Sequence, residues 1–343
     1  MNMDSLKISP VEKFKDEYVG VCSLGIGGFG SVHLVEDKKG IKRAAKLMMI
    51  SDVRFKIMTR REAQILLELK DCKDIVEPIE YFEDKANGLL VTEYLSGGEL
   101  FARCSRRDYK FTEAKCKVFT RSLLKALSYI HQKNVIHLDL KPANIMFQRI
   151  LSEDLTIIDF GLAKRLPAYG RVTTMNVGTV GFMAPEVAKC IHASPASDMW
   201  SFGVVVFMMV SGGLEPFWYK NGVVTQRRVK RGEFDFNHWA FNKVSTEAKH
   251  FISNLLSVRP HKRMTADEAL NHPWLQEVVT STPAVLDTCP MRKYLARRRW
   301  IKATTAVRAI GRMRRMSSSS GSSEDMVMKL QKILDNLDRM DGL

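Results

Sequence analysis

His137-Leu138-Asp139-Leu140-Lys141-Pro142-Ala143-Asn144 is followed, fifteen residues beyond Asn144, by Asp159-Phe160-Gly161, and further on by Ala184-Pro185-Glu186. The polar residues in this stretch suit one kind of chemistry. Moving a phosphoryl group asks a protein for little covalent work; it needs an oriented hydroxyl, clamped phosphates and a positioned metal. Asp139 can accept the hydrogen bond of an attacking hydroxyl. Lys141 can neutralise charge on the group in transfer, and Asn144 and Asp159 carry the hard oxygen ligands that Mg²⁺ prefers. A chance match to all three motifs in this order is negligible.

Upstream lies Leu24-Gly25-Ile26-Gly27-Gly28-Phe29-Gly30-Ser31-Val32. Glycines at these positions let a backbone turn approach phosphates without Cβ clashes. Taken alone the run is ambiguous, because a dinucleotide-binding turn has the same spacing and a structural hairpin is possible. The residues after the glycines separate these readings. A dinucleotide fold needs a helix directly after the glycines, whereas Val32-His33-Leu34-Val35-Glu36 continues as a strand and turns at Asp37–Gly40. The next strand, Ile41–Ile50, carries Lys46, and a helix over Thr59–Leu69 carries Glu62. A lone Lys or Glu is usually a surface charge; the order and spacing of this pair lift it above that.

The coarse outline is α+β. Residues 1–17 are polar and read as a lead-in. Strand patterns with one helix fill 18–94, and helical patterns, among them Lys115–Gln132 and Thr246–Ser257, dominate 95–275. The apolar run Phe202–Val210 is far shorter than the roughly 20 residues of a membrane span and reads as a buried helix. The six cysteines form no C-x-x-C pair and do not cluster with histidines, so they read as reduced thiols of a cytoplasmic protein. Of the net charge of +15, ten units come from Thr288–Met316, which holds ten basic residues and no acidic one. A near-balanced body with one basic segment implies an appended module rather than a nucleic-acid-binding protein. Ser317–Ser323 is a serine–glycine linker, and 324–343 has the apolar spacing of a short amphipathic helix.

On these motifs the stretch from 18 to 275 resembles the protein kinases. The resemblance implies a bilobal fold, a β-rich N-lobe with one helix and a larger helical C-lobe. It implies ATP and Mg²⁺ as cofactors: Leu24, Gly25, Gly27, Gly30, Val32, Lys46 and Glu93 would surround the nucleotide, Glu62 would pair with Lys46, and Asn144 and Asp159 would hold the metal. Asp139 and Lys141 would act at the transferred phosphate, with Glu99 and Thr179 facing the substrate. Asp198-Met199-Trp200 resembles the buried helix that anchors the catalytic loop, and Arg263 the partner of Glu186. Lys141 two residues after Asp139, with Thr179 before Ala-Pro-Glu, is the serine/threonine pattern.

Three features narrow the family: Leu138 in place of the usual arginine, Ser96-Gly97-Gly98-Glu99-Leu100-Phe101, and the tail Tyr294-Leu295-Ala296-Arg297-Arg298-Arg299-Trp300 with Ala306-Val307-Arg308-Ala309-Ile310-Gly311-Arg312. Together they resemble myosin light chain kinases and the kinase domains of titin and twitchin. This implies a monomer associated with the cytoskeleton, autoinhibited by residues 276–316 and acting on myosin regulatory light chain. In the tail, Trp300 and Met313 would lie about 20 Å apart on a helix, with Val307 and Ile310 between them. Such a helix suits the Met-rich grooves of Ca²⁺–calmodulin. A membrane surface or nucleic acid would also suit the charge, but the Trp300–Met313 spacing speaks against both. The segment Glu277–Arg299 is expected to block the substrate cleft until calmodulin peels it away. Ser317 and Ser318 each follow an arginine by three residues and are candidate phosphorylation sites.

Two positions depart from the pattern. Ala143 and Gly181 stand where relatives usually carry glutamates that face basic substrate residues, which points to a different cytoskeletal substrate as the alternative. A pseudokinase scaffold is the other alternative, but it usually lacks the lysine or an aspartate that Lys46, Asp139 and Asp159 supply here.

Overall fold

The computed structural model describes residues 6–27, 30–50, 53–168, 170–173, 177–276 and 284–316. The chain divides into two compact units, Met1–Met291 and Arg292–Leu343.

The first unit begins with a twisted six-stranded sheet. Its strands are β1 (Ile8–Ser9), β2 (Tyr18–Gly27), β3 (Gly30–Asp37), β4 (Lys42–Met49), β5 (Pro78–Glu83) and β6 (Asn87–Glu93), in the order β1-β5-β6-β4-β3-β2. All neighbours are antiparallel except β1 and β5. Side chains alternate across a strand, so Ala45 joins a core of Tyr18, Val35, Phe82, Leu89 and Val91 on one face while Lys46 points to the other.

Helix α1 (Val11–Glu17) lays Val11 and Phe14 on that core, with the Phe14 ring 5.1 Å from Tyr18 and 5.4 Å from Phe82. The expected polar lead-in is thus, over residues 8–17, part of the small-lobe fold. A two-residue strand and a single-sided short helix leave almost no periodic signal.

Helix α2 spans Val53–Leu69 and starts six residues before the expected Thr59. Its buried residues are Thr59, Glu62, Ala63, Ile65, Leu66 and Leu69, spaced at a helical period. Before Thr59, Val53, Phe55 and Ile57 are exposed. Their alternation with Arg54 and Lys56 imitates a strand, which hid the first turns.

The larger, helical part comes next: α3 (Leu100–Cys104), α4 (Glu113–Gln132), α5 (Pro185–Ala188), α6 (Pro195–Val210), α7 (Gly222–Arg231), α8 (Thr246–Leu255), α9 (Ala266–Leu270) and α10 (Pro273–Gln276). The short strands β7 (Val135–Ile136), β8 (Ile145–Phe147), β9 (Leu155–Ile157) and β10 (Lys164–Arg165) form two small ladders, β7 with β10 and β8 with β9. Helix α6 is buried on every side from Ser197 to Val210, as its apolar run demands, and a Ser194–Ser197 capping box starts it.

Helix α11 (Cys289–Met316) contains the whole Trp300–Met313 stretch without a break. Trp300 is exposed. The side chains of Val307, Ile310 and Met313, the serines Ser317 and Ser318, and the expected 324–343 helix lie outside the described residues.

Candidate active site

Strand register and two buried carboxylates assemble the site. Val32 on β3 stands opposite Lys46 on β4, so the glycine-rich hairpin and the lysine share one patch of sheet. At the end of that hairpin, Gly30 has φ +140°, and a Cβ there would sit 2.0 Å from the Leu47 carbonyl oxygen. No side chain fits. Gly25 and Gly27 lie at the end of β2, and Leu24 is partly exposed beside them. The Lys46 ammonium donates to both Glu62 oxygens at 2.8 and 3.0 Å and to Asp159 Oδ1 at 2.8 Å. Burial opposes its charge, but the two carboxylates outweigh it and push its pKa up. Burial pushes the Glu62 carboxyl up against the pull of Lys46, whereas Lys46 overcomes burial at Asp159 and holds that carboxyl down. Gly161 leaves room for this cluster, since a Cβ there would lie 3.3 Å from Asp159 and 3.4 Å from both Glu62 and Lys46.

The loop carrying Asp139 hangs from Asp198, which is fully buried in α6. Its two carboxylate oxygens accept the backbone N–H groups of His137 and Leu138, each at 2.8 Å. His131 Nε2 donates to the same group at 3.0 Å. Burial raises the pKa of Asp198, but the contact with His131 and the backbone donors leave it lowered. These bonds hold Leu138 at φ +66°, a conformation that costs a non-glycine residue about 1–2 kcal/mol. Next to it, His137 donates from Nε2 to the Ile158 carbonyl at 3.1 Å and accepts the Asp139 N–H at Nδ1, 3.2 Å away. Its ring meets Phe160 edge-on at 4.7 Å.

Three side chains converge on Asp139. Lys141 Nζ lies 2.5 Å from Oδ2, the Thr179 hydroxyl donates to Oδ1 at 2.9 Å, and Asn144 Nδ2 donates to the Asp139 carbonyl at 2.9 Å and to Oδ2 at 3.2 Å. Lys141 also donates to Thr179 at 3.0 Å. Gly178, just before Thr179, has φ +100°, and a Cβ there would lie 2.7 Å from the Leu138 carbonyl oxygen.

The β8–β9 ladder sets Ile145 opposite Ile157, and Ile158 N–H donates to the Asn144 carbonyl. Asn144 and Asp159 are thereby neighbours. With Nδ2 turned to Asp139, the Asn144 side-chain oxygen is left to accept, and Asp159 retains Oδ2 beside the oxygen that Lys46 engages. This donor set fits Mg²⁺, which takes one or two protein carboxylates and completes its octahedron with phosphate and water. Among the described residues no cage of three or more His, Cys, Asp or Glu is gathered that would favour another metal.

Glu186 and Arg263 form a bidentate pair at 2.9 and 3.1 Å, with the arginine fully covered. Ser197 donates to the same glutamate at 2.8 Å. Glu93 ends β6 with its N–H on the Glu77 carbonyl and its carboxylate on the Glu77 N–H, both 3.0 Å. Burial pushes its pKa up. Glu99 precedes α3, and its carbonyl accepts the Arg103 N–H at 3.1 Å.

The structure therefore brings together Lys46, Glu62 and Asp159 in one cluster and Asp139, Lys141, Asn144 and Thr179 in another. Sequence reasoning misses the role of His131. A histidine at the end of an amphipathic helix carries no signal until the fold aims it at Asp198.

A two-lobed fold with this pair of clusters defines a protein kinase, and the chain belongs to that family: the protein kinase domain matches residues 18–275. Within the family its relatives are serine/threonine kinases of the myosin light chain group. It is 39% identical over 325 residues to the smooth-muscle myosin light chain kinase of Gallus gallus, covering 94% of this chain and 17% of that protein. With myosin light chain kinase 3 of Rattus norvegicus it shares 35% over 297 residues, 85% of this chain and 37% of the relative. Among solved structures, the twitchin kinase region of C. elegans superposes with a TM-score of 0.75 at 35% identity, covering 88% of this chain and 52% of that one. Titin kinase with its flanking domains gives 0.75 at 28% identity, covering 86% and 53%. A shorter twitchin fragment that also matches is described as an autoregulated protein kinase. The chain thus spans well under two thirds of the lengths of the myosin light chain kinases it matches.

Proposed function

We propose that this chain transfers the γ-phosphate of ATP to a serine or threonine of a protein substrate, myosin regulatory light chain being the first to test, and that Ca²⁺–calmodulin controls it through α11. The observation that supports the chemistry best is the convergence of Lys141, Asn144 and Thr179 on Asp139. In this reading the attacking hydroxyl takes the place of Thr179 as donor to Asp139. Lys141 then offsets charge on the transferred group, and Lys46, fixed by Glu62, holds the α- and β-phosphates. Mg²⁺ at Asn144 and Asp159 would supply charge neutralisation on the β- and γ-phosphates. Leu24, Gly25, Gly27, Gly30, Val32 and Glu93 would enclose the nucleotide.

Support for calmodulin comes from the unbroken helix through Trp300 and Met313, its arginines, and the exposure of Trp300. One observation favours a cytoskeletal substrate other than the light chain. Gly181 faces open space and, like Ala143, supplies no carboxylate for a basic substrate residue.

The test is phosphate transfer to purified regulatory light chain with and without Ca²⁺–calmodulin. Transfer that requires calmodulin supports catalysis, switch and substrate together. Calmodulin-stimulated autophosphorylation without transfer to the light chain keeps the first two and rejects the substrate. No transfer of either kind rejects the catalytic reading.

A further inference from the structure

The segment just before α11 is seated on the helical lobe by its main chain. Val285 forms an antiparallel bridge with Thr112, and the Leu286 N–H donates to the Phe111 carbonyl at 2.8 Å. Six residues after Val285, the Met291 N–H donates to the Gly212 carbonyl at 2.8 Å, and the Met291 side chain is fully buried.

The receiving surface is made for backbone. Gly212 and Gly213, directly after α6, have φ +69° and +116°. A Cβ on Gly212 would lie 1.8 Å from the Asp287 carbonyl oxygen, and one on Gly213 would lie 2.3 Å from the Met291 nitrogen. Both glycines are needed twice over, for their own conformation and for the approach of the other strand. On the other side, Thr112 accepts the Lys115 N–H and so caps α4, the helix whose buried stripe runs through Cys116, Phe119 and Leu123. The seat is therefore built from the end of α6 and the start of α4, both rigid.

We propose that Val285–Met291 is a latch belonging permanently to the catalytic unit, and that any release of the tail begins beyond Met291. The compact first unit ends at the same place, Met291. A release that began earlier would break two main-chain hydrogen bonds, expose Met291 and leave the glycine pair uncovered. Where release begins rests on the calmodulin reading; the latch itself does not. The expected blocking segment, Glu277–Arg299, is thereby split into an anchor up to Met291 and a mobile remainder.

Hydrogen exchange on the full chain tests this. In the wild type, the amides of Leu286 and Met291 should exchange as slowly as those of α6, and Ca²⁺–calmodulin should change their rates less than twofold while the region after Arg292 changes more. Gly213→Ala should speed exchange across Val285–Met291 at least tenfold. Leu286→Pro, which removes the donor to Phe111 and changes no residue of the lobe that receives the segment, should speed exchange at Met291 likewise should Gly213→Ala fail to fold. Loss of protection over Val285–Met291 on adding calmodulin overturns the latch, and so does full protection in both variants. No change after Arg292 with calmodulin present would refute calmodulin control instead, and the two variants would still decide the latch.

Discussion

Replacing Asp198 with asparagine separates the scaffold of the catalytic loop from its chemistry. Asp198 touches no reacting group, yet it accepts the N–H groups of His137 and Leu138 at 2.8 Å each and a bond from His131 at 3.0 Å. Asparagine keeps one oxygen and turns an NH₂ toward a donor. One buried N–H is then left without an acceptor, a loss of about 1–3 kcal/mol. Leu138, held at φ +66°, gains about 1–2 kcal/mol by leaving that conformation, and Asp139 moves with it. If the productive loop geometry is disfavoured by about 2–3 kcal/mol, the competent fraction falls roughly 30- to 150-fold. The expected result for Asp198→Asn is a drop of that size in kcat towards a phosphoacceptor peptide. Nucleotide affinity, set by the Lys46 cluster, should change less than about threefold, and the urea midpoint should fall. A folded Asp198→Asn enzyme with unchanged kcat would refute the idea that these bonds position Asp139.

Lys46→Met should cut kcat/KM by more than about 100-fold and weaken nucleotide binding, since buried Glu62 and half-buried Asp159 lose their cation; kinetics with a nucleotide titration checks both. Ala143→Glu with Gly181→Glu should lower KM for peptides carrying an arginine upstream of the phosphoacceptor at least threefold, because the Gly181 Cβ position is open; equal KM values would show that neither site meets the substrate. Thr173→Ala with Thr174→Ala should leave activity within about twofold, because Leu138 offers no guanidinium to an activation-loop phosphate. Glu83, nearly covered, receives Arg60 at 2.6 and 2.7 Å, Lys56 at 2.6 Å and Tyr81 at 3.1 Å; burial opposes its charge, yet these contacts push its pKa down to about 2. Its contribution is present above the ordinary carboxylate range and is lost as pH falls through that range toward about 2. Glu83→Gln should therefore cost about 1–3 kcal/mol in urea melts at pH 7 and progressively less as the pH is lowered below about 4.5; a pH-independent difference would refute the charge-based account.

The catalytic clusters were legible because their chemistry tolerates few alternatives. Asp139, Lys141, Asn144 and Asp159 sit in short motifs, and the structure brings them together. The pairing of Lys46 with Glu62 was implied by the resemblance to protein kinases; their order along the chain only set them apart from ordinary surface charges. What escaped the sequence has a common physical cause. The first turns of α2 expose Val53, Phe55 and Ile57, so no buried stripe marks them. Strand β1 makes its contribution through main-chain pairing with β5, and the latch through the N–H groups of Leu286 and Met291. Backbone hydrogen bonds carry no side-chain signature. His131 and the Gly212–Gly213 pair acquire meaning only from what the fold places opposite them.

A tail fastened at Met291 has a consequence for timing. Were the whole blocking segment 277–299 to come away, it would search for its cleft on a tether longer by the fifteen residues 277–291, since the chain stays joined either way. Fastened at Met291, the remainder has the shorter tether and therefore the higher effective concentration, on the order of millimolar for a short linker. Re-closure then becomes a first-order event on the timescale of loop motion, microseconds or faster. On the proposed calmodulin control, the enzyme would then fall silent as fast as calmodulin lets go, and the calmodulin off-rate would set the duration of each burst of phosphorylation.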